Sequence, residues 1–367
     1  MEKKRFEVLD SFRGLCALCV VVFHMRFAGS FTEFTFFRSS EYFVEFFFFL
    51  SGFVLAHGYA SKKDIDFFSF MKIRFYRLYP LHILMLGIFL IIETGKYFAF
   101  RFIGFSFTNT PFSGASSPDE LIPNVLLIQS WFPQFDHLSF NYPSWSISVE
   151  FYVYAIFFVT ISGFVKYKTA SWIVLSLGAI GMLIGSSLYL PIPALKGIFC
   201  FFTGALIYKV YVTYNRRVKF NFLFSSVLEF TVLFLTIVAI SMNFALKPLI
   251  VPFLFSLVLF FYSFESGFFS KFFRWHGFQW LGMLSYSIYM THAAILFVVI
   301  SIGIIFQKIL GHPIAPMVDS IRYIDLGKPA LNNTLAIAII IVVVGISSIT
   351  YRYVELKGIA LGKRRRK

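Results

Sequence analysis

Apolar stretches of bilayer length recur from one end of this chain to the other. A helix needs about 20 mostly apolar residues to cross the hydrocarbon core. Such runs fall at 9–27, 42–59, 78–98, 143–165, 171–190, 192–212, 222–244, 248–264, 281–305 and 332–353. In lipid every backbone polar group must find its partner within the chain, which favours helices for runs of this length. The expectation is an all-α integral membrane protein of about ten transmembrane helices, forming one membrane domain over 1–367. Of 367 residues, 58% are apolar and 14% charged, more apolar surface than a soluble domain can bury.

Ten spans would return both termini to one side. Lys and Arg crowd the N-terminus, the links between spans 2 and 3, 4 and 5, 6 and 7, and 8 and 9, and the basic tail 363–367. The opposite loops hold only Arg26, Arg38, Lys96, Arg101, Lys247, Lys308, Arg322 and Lys328. The positive-inside rule then predicts cytoplasmic termini in a multi-pass protein of the cell inner membrane, with the lipid bilayer as a partner. This bias accounts for the net charge of +15 without a nucleic-acid partner. Met1 to Val8 reads as a short basic leader, and the first span lacks the small-residue cleavage site of a signal peptide. Cys16 and Cys19 have C-x-x-C spacing but no second pair, so no metal is expected.

The first span is unusual. Asp10 or Ser11 is a plausible N-cap. Arg13 and His24 lie inside the apolar run, where ionisable groups are costly and usually mark pathways or reaction sites; the plainer alternative is an Arg that snorkels to the headgroups and a His satisfied by a neighbouring helix. Eleven residues of helix are about three turns, so both side chains share one face, roughly 16 Å apart along the axis. Arg13 is predicted toward the cytoplasm and His24 toward the outer leaflet. That layout suits something long, anchored at one end and reacting at the other.

Other polar residues cluster at span ends. Arg74 and Arg77, at i and i+3, share a helical face where the cytoplasmic link enters span three. Guanidinium forks there suit phosphate oxygens, although anionic lipid would satisfy them too. The stretch Trp145-Ser146-Ile147-Ser148-Val149-Glu150 opens span four, and Glu150 falls about two turns in. A carboxylate beside an imidazole can make it a better base; the plainer alternative is a Glu150 that pairs with an outer arginine or caps a helix. Glu45 and Glu93 rank below it. On span nine, Tyr286, Tyr289 and His292 recur every three residues as one polar stripe, either a hydrogen-bond seam or part of a pathway. Asp10 and Ser146 complete the pathway candidates. His57, His82, His137, His276 and His312 read as interfacial or structural. Residues 99–142 are not one clean element; ELIPNVLLIQSW within them reads as a re-entrant or interfacial helix. No P-loop, dinucleotide fingerprint, H-E-x-x-H or G-x-S-x-G is present.

Six stretches together resemble a known family: LDSFRGLCALCVVVFH, FFFFLSGFVL, RFYRLYP, PSWSISVE, LSYSIYMTH and YRYVE, in the family's order from residue 9 to 355. The chain resembles membrane acyltransferase family 3, which includes bacterial O-antigen and exopolysaccharide O-acetyltransferases. The resemblance implies an enzyme, an O-acyltransferase that moves an acyl group, acetyl by default, from cytoplasmic acyl-CoA to a hydroxyl of an extracytoplasmic glycan or lipid-linked saccharide. It implies that Arg13, Arg74 and Arg77 bind the acyl-CoA co-substrate, and that His24 and Glu150 are catalytic, His24 as general base on the acceptor hydroxyl or as brief carrier of the acyl group, Glu150 holding or polarising it. Two departures stand out. The family's terminal E-x-P is here Glu355-Leu356-Lys357, and the esterase-like domain of some members has no counterpart in these residues, implying one-component transfer. Two rivals predict different behaviour: a secondary transporter of an anionic solute, with Arg13 and Glu150 in its pathway, or a non-enzymatic scaffold.

Overall fold

The computed structural model describes residues 4–62, 65–105, 107, 109–185, 189–215, 221–319 and 321–364. Parts of the predicted basic links (Lys63, Arg216, Arg217, Lys219), the end of span five (186–188), and 365–367 of the tail lie outside them. Each predicted span is a helix. They are α1 Glu7–His24, α2 Phe43–Tyr59, α3 Phe67–Ile103, α4 Ser144–Ser162, α5 Lys168–Ile184, α6 Ile192–Asn215, α7 Phe222–Ser241, α8 Lys247–Tyr262, α9 His276–Leu310 and α10 Pro329–Thr350. A π-helical turn, Tyr351–Glu355, joins α10 to α11, Leu356–Lys363. Among the described residues seven helices are long and apolar enough to cross a membrane; α5 and α8 are apolar but shorter, and α1, which carries Glu7, Asp10 and Arg13, is in neither group. Among the described residues the only strands are a two-residue pair, β1 Met317–Val318 and β2 Ile321–Arg322.

Several boundaries move for identifiable reasons. The third span was predicted from Leu78, but α3 begins at Phe67, because Asp66 caps it by accepting the Ser69 amide at 2.7 Å. The predicted N-cap of α1 is also wrong. α1 starts at Glu7; Asp10 is inside it, paired with Arg5 at 2.8 Å, and the Ser11 hydroxyl donates to Phe273 O at 2.6 Å. The Val8 amide is met instead by Glu265 at 3.0 Å. The re-entrant helix expected within 99–142 shrinks to Leu121–Val125, with Leu127 in the left-handed region beyond it. Buried polar side chains hold this segment in place of a continuous helix. Asn124 donates to Ser139 Oγ at 2.7 Å, Ser148 to Leu127 O at 2.6 Å, and Trp131 to Ser148 O at 3.0 Å.

The chain forms two compact units. The first comprises Met1–Ser61 and Cys200–Ser348, the second Lys62–Phe199 and Ile349–Lys367. In the first, α1 and α9 run side by side in the same direction. Their backbones meet at Gly14, where a Cβ would lie 2.5 Å from Leu281 C, and at Gly282, where it would strike Asp10 O. Such close approach needs residues without side chains, the usual device for packing helices in lipid. In the second unit, α11 packs along the first half of α3; a Cβ on Gly358 would strike Tyr76 O, and one on Gly362 would lie 3.3 Å from Ile73 Cα.

Candidate active site

The first unit holds the histidine end of α1. α1 is one unbroken helix from Glu7 to His24, so Arg13 and His24 share a face as the spacing predicts. Both are half-buried. Between them on that face lie Ala17 and Val20, 0% and 2% exposed. The stripe is therefore covered by protein, not open along its length.

Ten residues beyond the Gly14–Gly282 crossing, the two helices meet again through side chains. The His24 ring stacks on the His292 ring, centroids 5.2 Å apart at 30°. His292 is fully buried, and its Nδ1 lies 2.7 Å from Tyr289 O. A carbonyl only accepts, so Nδ1 carries the proton of the neutral ring and Nε2 the lone pair. Tyr286 and Tyr289, on the same stripe of α9, are buried as well. The i, i+3 spacing had marked this stripe; its stacking on His24 had no signal in the sequence.

The loop after α1 closes over this end. Ile324 donates to Arg26 O at 2.8 Å, and the Ala28 amide to Ile324 O at 3.0 Å. Arg38, at the end of the short helix Thr35–Arg38, reaches back to cap α1, its Nη2 donating to Val22 O at 2.7 Å and Met25 O at 2.8 Å. Arg26 and Arg38 both stand over the Phe23 ring, at 5.9 and 5.8 Å. Sequence reading had counted Arg38 only as a loop charge.

The second unit holds Arg74, Arg77, Ser146 and Glu150. Arg74 is buried, its guanidinium 3.7 Å from the Phe70 ring centroid and Nη1 donating to Phe70 O at 2.8 Å. Arg77, one turn on, is half-buried. Tyr154 lies below Arg74, 5.9 Å from ring to guanidinium, and its hydroxyl donates to Glu150 Oε1. Tyr154 thus presents its ring to Arg74 and its hydroxyl to Glu150, a bridging position that the sequence reading does not assign. Its clue was its place one helical turn after Glu150. Ser146 turns inward and donates to Pro143 O at 3.2 Å. Glu93 is buried against Lys96 at 2.8 Å, and His82 against Asn124 O at 2.9 Å, both with local structural partners. No cluster of three metal-ligating side chains occurs among the described residues.

The sequence profile of the acyltransferase 3 family, an acyltransferase domain, matches residues 6–352. The chain belongs to that family. Helices long and apolar enough to cross a membrane carry the matched region. It is 40% identical over 115 residues to the acyltransferase MdmB of Streptomyces mycarofaciens, covering 31% of this chain and 26% of that protein. It is also 44% identical over 89 residues to protein 2 of the picA locus of Rhizobium radiobacter, 23% of this chain and 44% of that one. The matches thus span less than half of each curated relative. No solved structure matches the chain.

Proposed function

We propose that this acyltransferase crosses the inner membrane ten times with both termini cytoplasmic, and moves an acyl group, acetyl by default, from cytoplasmic acyl-CoA to a hydroxyl of an extracytoplasmic glycan or lipid-linked saccharide. The observation that carries the reading is α1, one helix with a guanidinium and an imidazole on the same face, three turns apart. The shared direction of α1 and α9, first and ninth in the span order, supports the ten-span topology, since odd spans cross the same way. Arg13, Arg74 and Arg77 are the phosphate-binding candidates, because planar guanidinium forks match phosphate oxygens. The acceptor hydroxyl gives its proton to His24 as its oxygen attacks the thioester carbonyl. Collapse breaks the C–S bond, and His24 returns the proton to the departing thiolate. Glu150, with Tyr154 donating to it, is the second catalytic candidate.

The covered stripe at Ala17 and Val20 adds a condition: a pantetheine arm that follows this face must displace what covers it. The test is acylation of surface glycans in cells carrying His24→Ala. Loss of a general base lowers turnover about 10²–10⁴-fold, so the glycan should lose its acyl mass. Full acylation would overturn the role of His24, and solute flux independent of acyl-CoA would point to a transporter.

A further inference from the structure

Arg38 has more donors than its fold uses. A guanidinium carries five N–H groups. Two of them, on Nη2, cap the end of α1 at Val22 O and Met25 O. The Nε and Nη1 atoms are shielded from solvent and find no acceptor among the described residues. Burial beside Arg26 lowers the pKa of Arg38 only to about 10, so it stays cationic at neutral pH. Helix capping needs carbonyl partners alone. Three further N–H donors of a cation, withdrawn from water and pinned to the helix turn that bears His24, are arranged for an acceptor that the described residues do not supply. Donors held in place before the reaction are what stabilise developing negative charge at low cost.

We propose that Arg38 binds an oxyanion at the His24 end of α1, a substrate-binding role that rests on the reaction assigned to His24 above. The oxyanion has two possible sources. One is the acyl carbonyl: as the acceptor oxygen bonds to the carbonyl carbon and its proton passes to His24, the carbonyl π pair moves to oxygen, which accepts from Arg38 until the C–S bond breaks and C=O re-forms. The other is a carboxylate or phosphate on the acceptor itself.

The test uses the full-length protein in detergent, with acetyl-CoA as donor and water, glucose or glucuronic acid as acceptor. Wild type is compared with Arg38→Gln, Arg38→Lys, Arg26→Gln and His24→Ala. Arg38→Lys keeps the cation and can still cap α1, which guards against a simple folding defect. Arg26→Gln removes an equal charge beside Phe23 and is the control for field effects alone. If the oxyanion is the acyl carbonyl, Arg38→Gln lowers turnover about 10²–10³-fold with every acceptor, water included, Arg38→Lys falls between, and Arg26→Gln stays near wild type. If it sits on the acceptor, hydrolysis is unchanged and KM rises for glucuronic acid but not glucose. Inorganic phosphate supplies a readout without turnover: its stabilisation of the protein against heat, relative to chloride at equal ionic strength, should shrink in Arg38→Gln and not in Arg26→Gln. The inference is overturned if both Arg38 variants keep wild-type hydrolysis, acceptor KM and phosphate response, or if Arg26→Gln matches Arg38→Gln in all three. Were His24→Ala as active as wild type, the reaction assigned to His24 would fall instead.

Discussion

The imidazoles of His24 and His292 stack at 5.2 Å, and Tyr289 O fixes the proton of His292 on Nδ1. One helix supplies the imidazole proposed as the base; its neighbour holds a second ring of set tautomer against it. His292→Phe keeps a flat ring in the stack and removes both nitrogens. Its kcat should fall roughly 10- to 100-fold, less than the about 10²–10⁴ expected for loss of the base itself, and its pH–rate profile should move. An unchanged profile would reduce the stack to packing.

The crossing that sets this register is made by glycines. A Cβ on Gly14 would sit 2.5 Å from Leu281 C. Gly14→Val should therefore push α1 off α9 and cost at least about 1–3 kcal/mol, the usual range for overpacking. A lower melting temperature in detergent checks this. Gly87, with nothing near its Cβ position, should tolerate Ala without loss.

Arg74 depends on a flat guanidinium, stacked 3.7 Å from the Phe70 centroid. Arg74→Lys keeps the charge and loses both stack and fork. The KM for acyl-CoA should rise roughly tenfold, about 1.4 kcal/mol of binding, with kcat less affected. Initial-rate kinetics at varied acyl-CoA read both constants, and an unaltered KM would falsify the phosphate-binding role.

Two carboxylates outside the spans should make stability respond to pH in opposite ways. Burial raises the pKa of Glu265, against Val8 and Lys4 which lower it. Its neutral form is thus favoured on folding. The contribution is present below the unfolded value of about 4.3 and is lost as pH rises through the folded value. Hydrogen bonds from Ser69 lower the pKa of Asp66, so its contribution is present above about 3.9 and is lost as pH falls through the folded value. Melting temperatures against pH should show wild type losing ground to Glu265→Gln as pH rises from 4, and losing its advantage over Asp66→Ala as pH falls below 4.

Helix existence was legible because lipid leaves a chain few choices. Runs of about 20 apolar residues must be helices or barrel strands, and all ten stretches are helices. Ends were less legible, since they depend on single polar contacts such as Asp66 at α3 and Glu265 at α1. Segment 99–142 resisted reading because its shape rests on hydrogen bonds between residues as far apart as Leu127 and Ser148.

The site divides the same way. By itself the sequence determined the alignment of Arg13 with His24, because 3.6 residues per turn fixes that within one helix, and it marked the stripe ending at His292. Tertiary structure alone decided that the stripe lies against His24, that Ala17 and Val20 are covered, and that Arg38 folds back onto the end of α1. Periodicity reports which side of a helix a residue occupies; what stands opposite is set by packing between segments hundreds of residues apart.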